Sequence, residues 1–235
     1  MKEISVLKAA SIFGVSTLFF YSLLFTLRPW LHMQFSFHPA LYWFITGYAL
    51  FIPLCVAALL GARREGNRSL REMLRALNVR PMTKRDWGYA LVVTLTLFVC
   101  SGIIMALSTF ISNTYGIAQL NTTPWFMEFR PFEGTERLLL LVWLPMFFFN
   151  IVGEELLWRG YLQARMRGEY AWLLCGFFWL VFHLPFGFDL LVMLMPIIIL
   201  LPYAFHKTRN TLVGIFIHAV YNGPTFILLA LGILQ

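Results

Sequence analysis

Apolar residues run along this chain in long blocks, without the alternation of a half-buried strand or the narrow stripe of a soluble amphipathic helix. About seven blocks come near the 20 residues that cross a bilayer as helix. They lie at 9–27, 40–60, 88–111, 138–164, 170–185, 189–205 and 211–233, separated by short polar segments. This pattern predicts an all-α membrane protein, a polytopic bundle of about seven transmembrane helices filling residues 1–235 as a single membrane domain. Lys2 and Lys8 precede the first block as they would a secretory signal. That block, however, exceeds a signal's apolar region and ends in Arg28-Pro29-Trp30 with no small-residue cleavage pattern, so it is expected to persist as the first helix.

Composition changes the picture by exclusion. Of the 235 residues 60% are hydrophobic and 12% charged, about half the charge of a soluble domain. The net charge of +7 would suit nucleic acid, but the basic residues sit in short loops between apolar blocks rather than on one soluble face. Anionic lipid is therefore the expected counter-charge, and nucleic acid is not an expected partner. Cys55, Cys100 and Cys175 fall inside the apolar blocks and are expected to pack rather than pair.

The basic residues also set an orientation. Segment 61–87 carries Arg63, Arg64, Arg68, Arg71, Arg75, Arg80, Lys84 and Arg85, which marks it as cytoplasmic. Alternating from there puts Lys2, Lys8, Arg165, Arg167, Lys207 and Arg209 on the same side and leaves Arg28, Arg130 and Arg137 opposite, with Glu128, Glu133 and Glu136 in one exoplasmic loop. The N-terminus is then cytoplasmic and the C-terminus exoplasmic, in a cell membrane that the short loops suit better than an organelle. Within 61–87, Ser69 and Glu72 form a capping-box pattern ahead of Leu70, Met73, Leu74 and Leu77 at helical spacing, which predicts a short helix before Pro81.

The chemistry lies in polar residues at bilayer depth. An ionisable side chain there costs about 2.5–3.5 kcal/mol even on lenient scales, so each one is a functional hypothesis. In Gly153-Glu154-Glu155-Leu156-Leu157-Trp158-Arg159 the spacing brings Glu155 and Arg159 onto one helical face and leaves Glu154 on another, which it shares with Asn150. His183 closes an aromatic run, and alone it would read as a packing residue. His218 and Asn222, four apart, project from one face and can grip a single oxygen. At 1.5 Å per residue, Glu154, His183, His218 and Asn222 lie about 16, 20, 12 and 18 Å from the cytoplasmic ends of their helices, one layer near the midplane.

A carboxylate and an imidazole sharing a water make a general acid–base pair. Glu154 would take a proton from a water attacking an amide carbonyl, His183 would hold that water or relay the proton, and His218 with Asn222 would stabilise the oxyanion. Glu and two His also make a three-ligand zinc site with an open fourth position, although no HExxH motif is present and the two His lie on different helices. The metal-free arrangement is the expectation, with zinc as its alternative.

These residues resemble a known family. Glu154-Glu155-x-x-x-Arg159, an aromatic-x-x-x-His ending at His183, and His218-x-x-x-Asn222 are similar, in order and on separate helices, to the motifs of the CPBP family. These are the CAAX prenyl endopeptidases and bacteriocin-processing proteins, also called the Abi family. Trp158-Arg159-Gly160-Tyr161-Leu162 resembles the family's continuation of the first motif. The resemblance covers about residues 140–225, within a motif-bearing core of about 138–233. It departs at Trp179, where the family usually has Phe.

The resemblance implies an intramembrane endopeptidase acting on a membrane-embedded or lipidated peptide or protein, without a cofactor. Glu154 and His183 would activate water, His218 and Asn222 would form the oxyanion site, and Glu155 with Arg159 would support the architecture; spacing alone, apart from the resemblance, adds Asn150 as the residue expected to orient Glu154. Two other readings compete. Polar residues also glue helices together in non-catalytic scaffolds or self-immunity proteins, and buried carboxylates relay protons in transporters, which often show a two-half symmetry not evident here. No sequence feature fixes the substrate or an oligomeric state.

Overall fold

The structure, a computed structural model, describes residues 2–127 and 130–233; Glu128 lies outside the described residues. The chain is 80% helical, and no strand occurs among the described residues. Among the described residues, six helices are long and apolar enough to cross a membrane: α1 (Val6–Gln34), α2 (Pro39–Arg64), α4 (Lys84–Tyr115), α5 (Gly134–Gln163), α7 (Phe188–Thr208) and α8 (Thr211–Ala230). A shorter apolar helix, α6 (Ala171–Phe186), makes the seventh. The chain is thus an all-α polytopic membrane protein.

The helix ends follow local chemistry. The short α3 (Leu70–Ala76) starts at the Ser69/Glu72 capping box read from the sequence. A second box, Thr83 with Asp86, starts α4. Gly116, at φ 67°, takes the left-handed conformation that closes α4, and Arg209, at φ 50°, turns α7 into α8.

Polar contacts sort the loops into two ends. At one end Arg165 donates to Glu65 (2.7 and 2.9 Å) and to the Ala76 carbonyl (3.2 Å), Ile4 N–H donates to the Arg165 carbonyl (3.0 Å), and Arg80 reaches Asp86 (3.0 Å) and the Thr208 carbonyl (2.7 Å). The bidentate hydrogen bond and the positive charge of Arg165 hold the Glu65 carboxyl below the usual carboxylate range, against the partial burial that would raise it. At the other end Trp125 donates to the Pro185 carbonyl (2.7 Å), Asn121 N–H to Asp189 (2.9 Å) and Phe132 N–H to the Ala230 carbonyl (2.7 Å). The basic segments therefore gather at one end, as the alternating pattern requires.

Large apolar side chains are exposed along α4, among them Leu91, Val92, Leu95, Ile103 and Phe110, which is the face that lipid covers. Inside, α2 packs on α5, α6 on α1 and α7, and α8 on α4 and α7. Gly153 makes the α2–α5 approach feasible, because a Cβ there would stand 2.7 Å from the Phe51 carbonyl oxygen. That close contact fixes the backbone immediately before Glu154.

Candidate active site

α5 does not continue as a uniform helix. Its regular part, Leu139–Glu154, passes into a wider π-helical turn over Glu155–Gln163, a feature common at functional positions. Glu154 stands at the junction. The change of pitch still leaves residues four apart in contact: Asn150 Nδ2 donates to Glu154 Oε1 at 2.8 Å, and Arg159 pairs with Glu155 Oε1 at 3.2 Å. Both relations were legible from spacing.

Glu154 is not, however, left free. Besides Asn150, the indole N–H groups of Trp158 (3.2 Å) and Trp179 (2.6 Å) both donate to its Oε2. The carboxylate is 2% exposed and held by three N–H donors from two helices. Sequence spacing would have found Trp158, four residues on; nothing in the sequence pairs Trp179 with Glu154, because α6 supplies it across the bundle.

His183 follows from α6. Its Nδ1 lies 2.8 Å from the Trp179 carbonyl oxygen. A carbonyl oxygen only accepts, so Nδ1 carries the proton here and the neutral ring presents a lone pair at Nε2. The ring packs edge-on against Trp179 and Phe182.

His218, from α8, is bound at the back of the site. Its Nδ1 sits 3.0 Å from Glu155 Oε1, the oxygen that also pairs with Arg159. Glu155 and Arg159 are fully buried, and the contact between them is a charge pair without hydrogen-bond angles. The Arg159 guanidinium lies 3.7 Å over the Trp179 ring, a cation–π contact that a desolvated site strengthens. Gly214 gives the Glu155 carboxylate its room: a Cβ there would collide with it. The sequence reading paired Glu155 with Arg159 alone; the structure gives it His218 as well.

Asn150, Glu154, His183, His218 and Asn222 all line one chamber of about 430 Å³, whereas Glu155 and Arg159 do not. The rest of its wall is mainly aromatic and Met side chains from α1, α2, α4, α5, α6, α7 and α8, and residues 122–124 and Met127 close it at the end opposite the basic loops. Tyr221 adds a further polar group, its hydroxyl 2.6 Å from that of Ser101 on α4. An apolar cavity with a few convergent polar groups is the form of a small-ligand or substrate site.

Among the described residues, no group of three or more His, Cys, Asp and Glu side chains is gathered as a metal site. The N–H groups of Asn150, Trp158 and Trp179 occupy three positions around the Glu154 carboxylate, and His218 Nδ1 is turned to Glu155.

Fold and site together define a polytopic helical membrane protein with a polar centre inside the bundle. Residues 136–223 match the family model described as Rce1-like, type II CAAX prenyl endopeptidase, which is consistent with the CPBP resemblance. The matched segment runs through Glu154, His183, His218 and Asn222. The chain is similar over that segment to CAAX-protease-type membrane endopeptidases. Comparison with curated proteins and with solved structures gave no match.

Proposed function

We propose that this protein is an intramembrane endopeptidase that hydrolyses a peptide bond of a membrane-embedded or lipidated peptide or protein with water activated by Glu154 and His183. The observation that carries the reading is the convergence of Glu154, His183, His218 and Asn222 from three helices on one largely apolar chamber. Burying that many polar side chains for helix association alone would be costly.

In this mechanism the attacking water sits between the Glu154 carboxylate and His183 Nε2. Glu154 takes its proton as the oxygen attacks the carbonyl, and the proton passes to the leaving amine, with His183 as relay. Asn222 donates to the oxyanion. For His218 Nε2 to donate as well, while Nδ1 donates to Glu155, the ring carries both protons, and the Glu155 carboxylate is its counter-charge. In this proposal no metal enters the cycle.

The basic end of the bundle is proposed to face the cytoplasm of a cell membrane and to hold anionic headgroups. The experiment is a screen of membrane-embedded and lipidated peptides in proteoliposomes run in H2¹⁸O, with products read by mass spectrometry. The mechanism predicts one new carboxylate carrying ¹⁸O, lost in Glu154→Gln; uptake of a solute or proton without cleavage would favour transport instead.

A further inference from the structure

The two oxygens of Glu154 are not equivalent, and the difference traces to a residue at which this chain departs from the motif it resembles. A carboxylate offers about four lone-pair sites, two on each oxygen. Oε2 receives two donors, Trp158 Nε1 at 3.2 Å and Trp179 Nε1 at 2.6 Å. Oε1 receives one, Asn150 Nδ2 at 2.8 Å. One site on Oε1 is thus left for the chamber.

We propose that Trp179 is a positioning residue for the hydrolysis inferred above: its indole N–H fills the second site of Glu154 Oε2 and so fixes Oε1 as the oxygen that meets the attacking water. The inference rests on the water-activation reading.

The geometry suits the task. A 2.6 Å contact is at the short end even for charged donor–acceptor pairs. Trp179 is 1% exposed, the Arg159 guanidinium lies 3.7 Å over its ring, and Phe182 and Cys175 on the same helix are also buried, so the N–H has one direction available. Its carbonyl meanwhile holds His183 Nδ1 at 2.8 Å. One residue therefore orients both members of the proposed pair, Glu154 through its side chain and His183 through its backbone. A Phe side chain at this position lacks the N–H. Oε2 would then offer water a second seat, away from the line to His183, and only part of the bound water would be placed to attack.

Side-chain substitution separates the two roles because the carbonyl stays. Trp179→Phe removes the N–H but also volume from a buried site. The second variant places 3-benzothienylalanine at position 179 by nonsense suppression, keeping the two-ring shape with sulfur in place of N–H. With a substrate from the screen, both variants are expected to lose roughly tenfold or more in kcat, the scale of one hydrogen bond to a charge, with KM within about twofold.

A spectroscopic arm needs no substrate. In ¹⁵N-indole-labelled protein in nanodiscs, the resonance missing from Trp179→Phe is that of Trp179; it is expected downfield in the wild type and to move upfield in Glu154→Ala. The proposal is overturned by a benzothienyl variant with wild-type kcat, by an effect confined to KM, or by an indole resonance indifferent to Glu154→Ala. Glu154→Gln run beside them keeps the two ideas apart. If Glu154→Gln cleaves normally, the water-activation reading itself fails; if it is inactive while the benzothienyl variant is fully active, only the role of Trp179 fails.

Discussion

Replacing Glu155 by Gln tests whether the charge behind the chamber is part of the fold. The carboxylate is fully buried between Arg159 at 3.2 Å and His218 at 3.0 Å. Gln keeps the shape and removes the charge, leaving the Arg159 guanidinium as a buried cation with the Trp179 ring for company. Breaking a buried pair from one side costs about 3–5 kcal/mol, chiefly because the remaining charge is uncompensated. At 2–4 °C per kcal/mol for a chain of this length, the melting temperature should fall by about 6–20 °C. The assay is thermal unfolding by tryptophan fluorescence in one detergent, extended to Arg159→Gln and the double variant. Because both singles break the same pair, the double variant should lose less than their sum, with a coupling of about 2–3 kcal/mol. A Glu155→Gln protein melting within about 2 °C of wild type, or singles that add to within about 0.5 kcal/mol, would refute the reasoning.

Two further outcomes follow from the geometry. The Arg165 hydrogen bonds hold the Glu65 pKa below its unfolded value, so Glu65 contributes stability above the unfolded pKa that is lost as pH falls through the folded one. The melting-temperature gap between wild type and Glu65→Gln should be open at neutral pH and close on acidification; a gap that persists in acid would contradict the assignment. His218→Ala and Asn222→Ala should each lower kcat by about 10²–10³-fold with little change in KM, and a loss confined to KM would move both residues from the oxyanion to substrate binding.

Much of this was legible in the sequence because a membrane span is set by one coarse quantity, the length of an apolar run. The block at 40–60 became Pro39–Arg64 and that at 189–205 became Phe188–Thr208. The first helix is longer than read, Val6–Gln34, because Arg28 and Pro29 sit inside it, across a π-helical stretch at Leu23–Leu27 that no local pattern announces. Spacing also recovered the pairs within one helix, Asn150 with Glu154 and Glu155 with Arg159.

What it did not recover are contacts between helices, whose rotation about their axes is fixed only by packing. The indole of Trp179 on Glu154 and the imidazole of His218 on Glu155 belong to that class. The sequence shows Trp179 as a departure from Phe, but only the structure shows that the N–H this adds reaches Glu154.

The most direct test of the central claim is the single-turnover rate of Glu154→Gln against wild type on one substrate in proteoliposomes, with fold checked by melting and bound metal measured on the same samples. The account predicts a folded, metal-free wild type that cleaves and a folded variant whose cleavage is lost. Equal rates from the two proteins, or stoichiometric zinc in the active wild type, would contradict a glutamate-activated water.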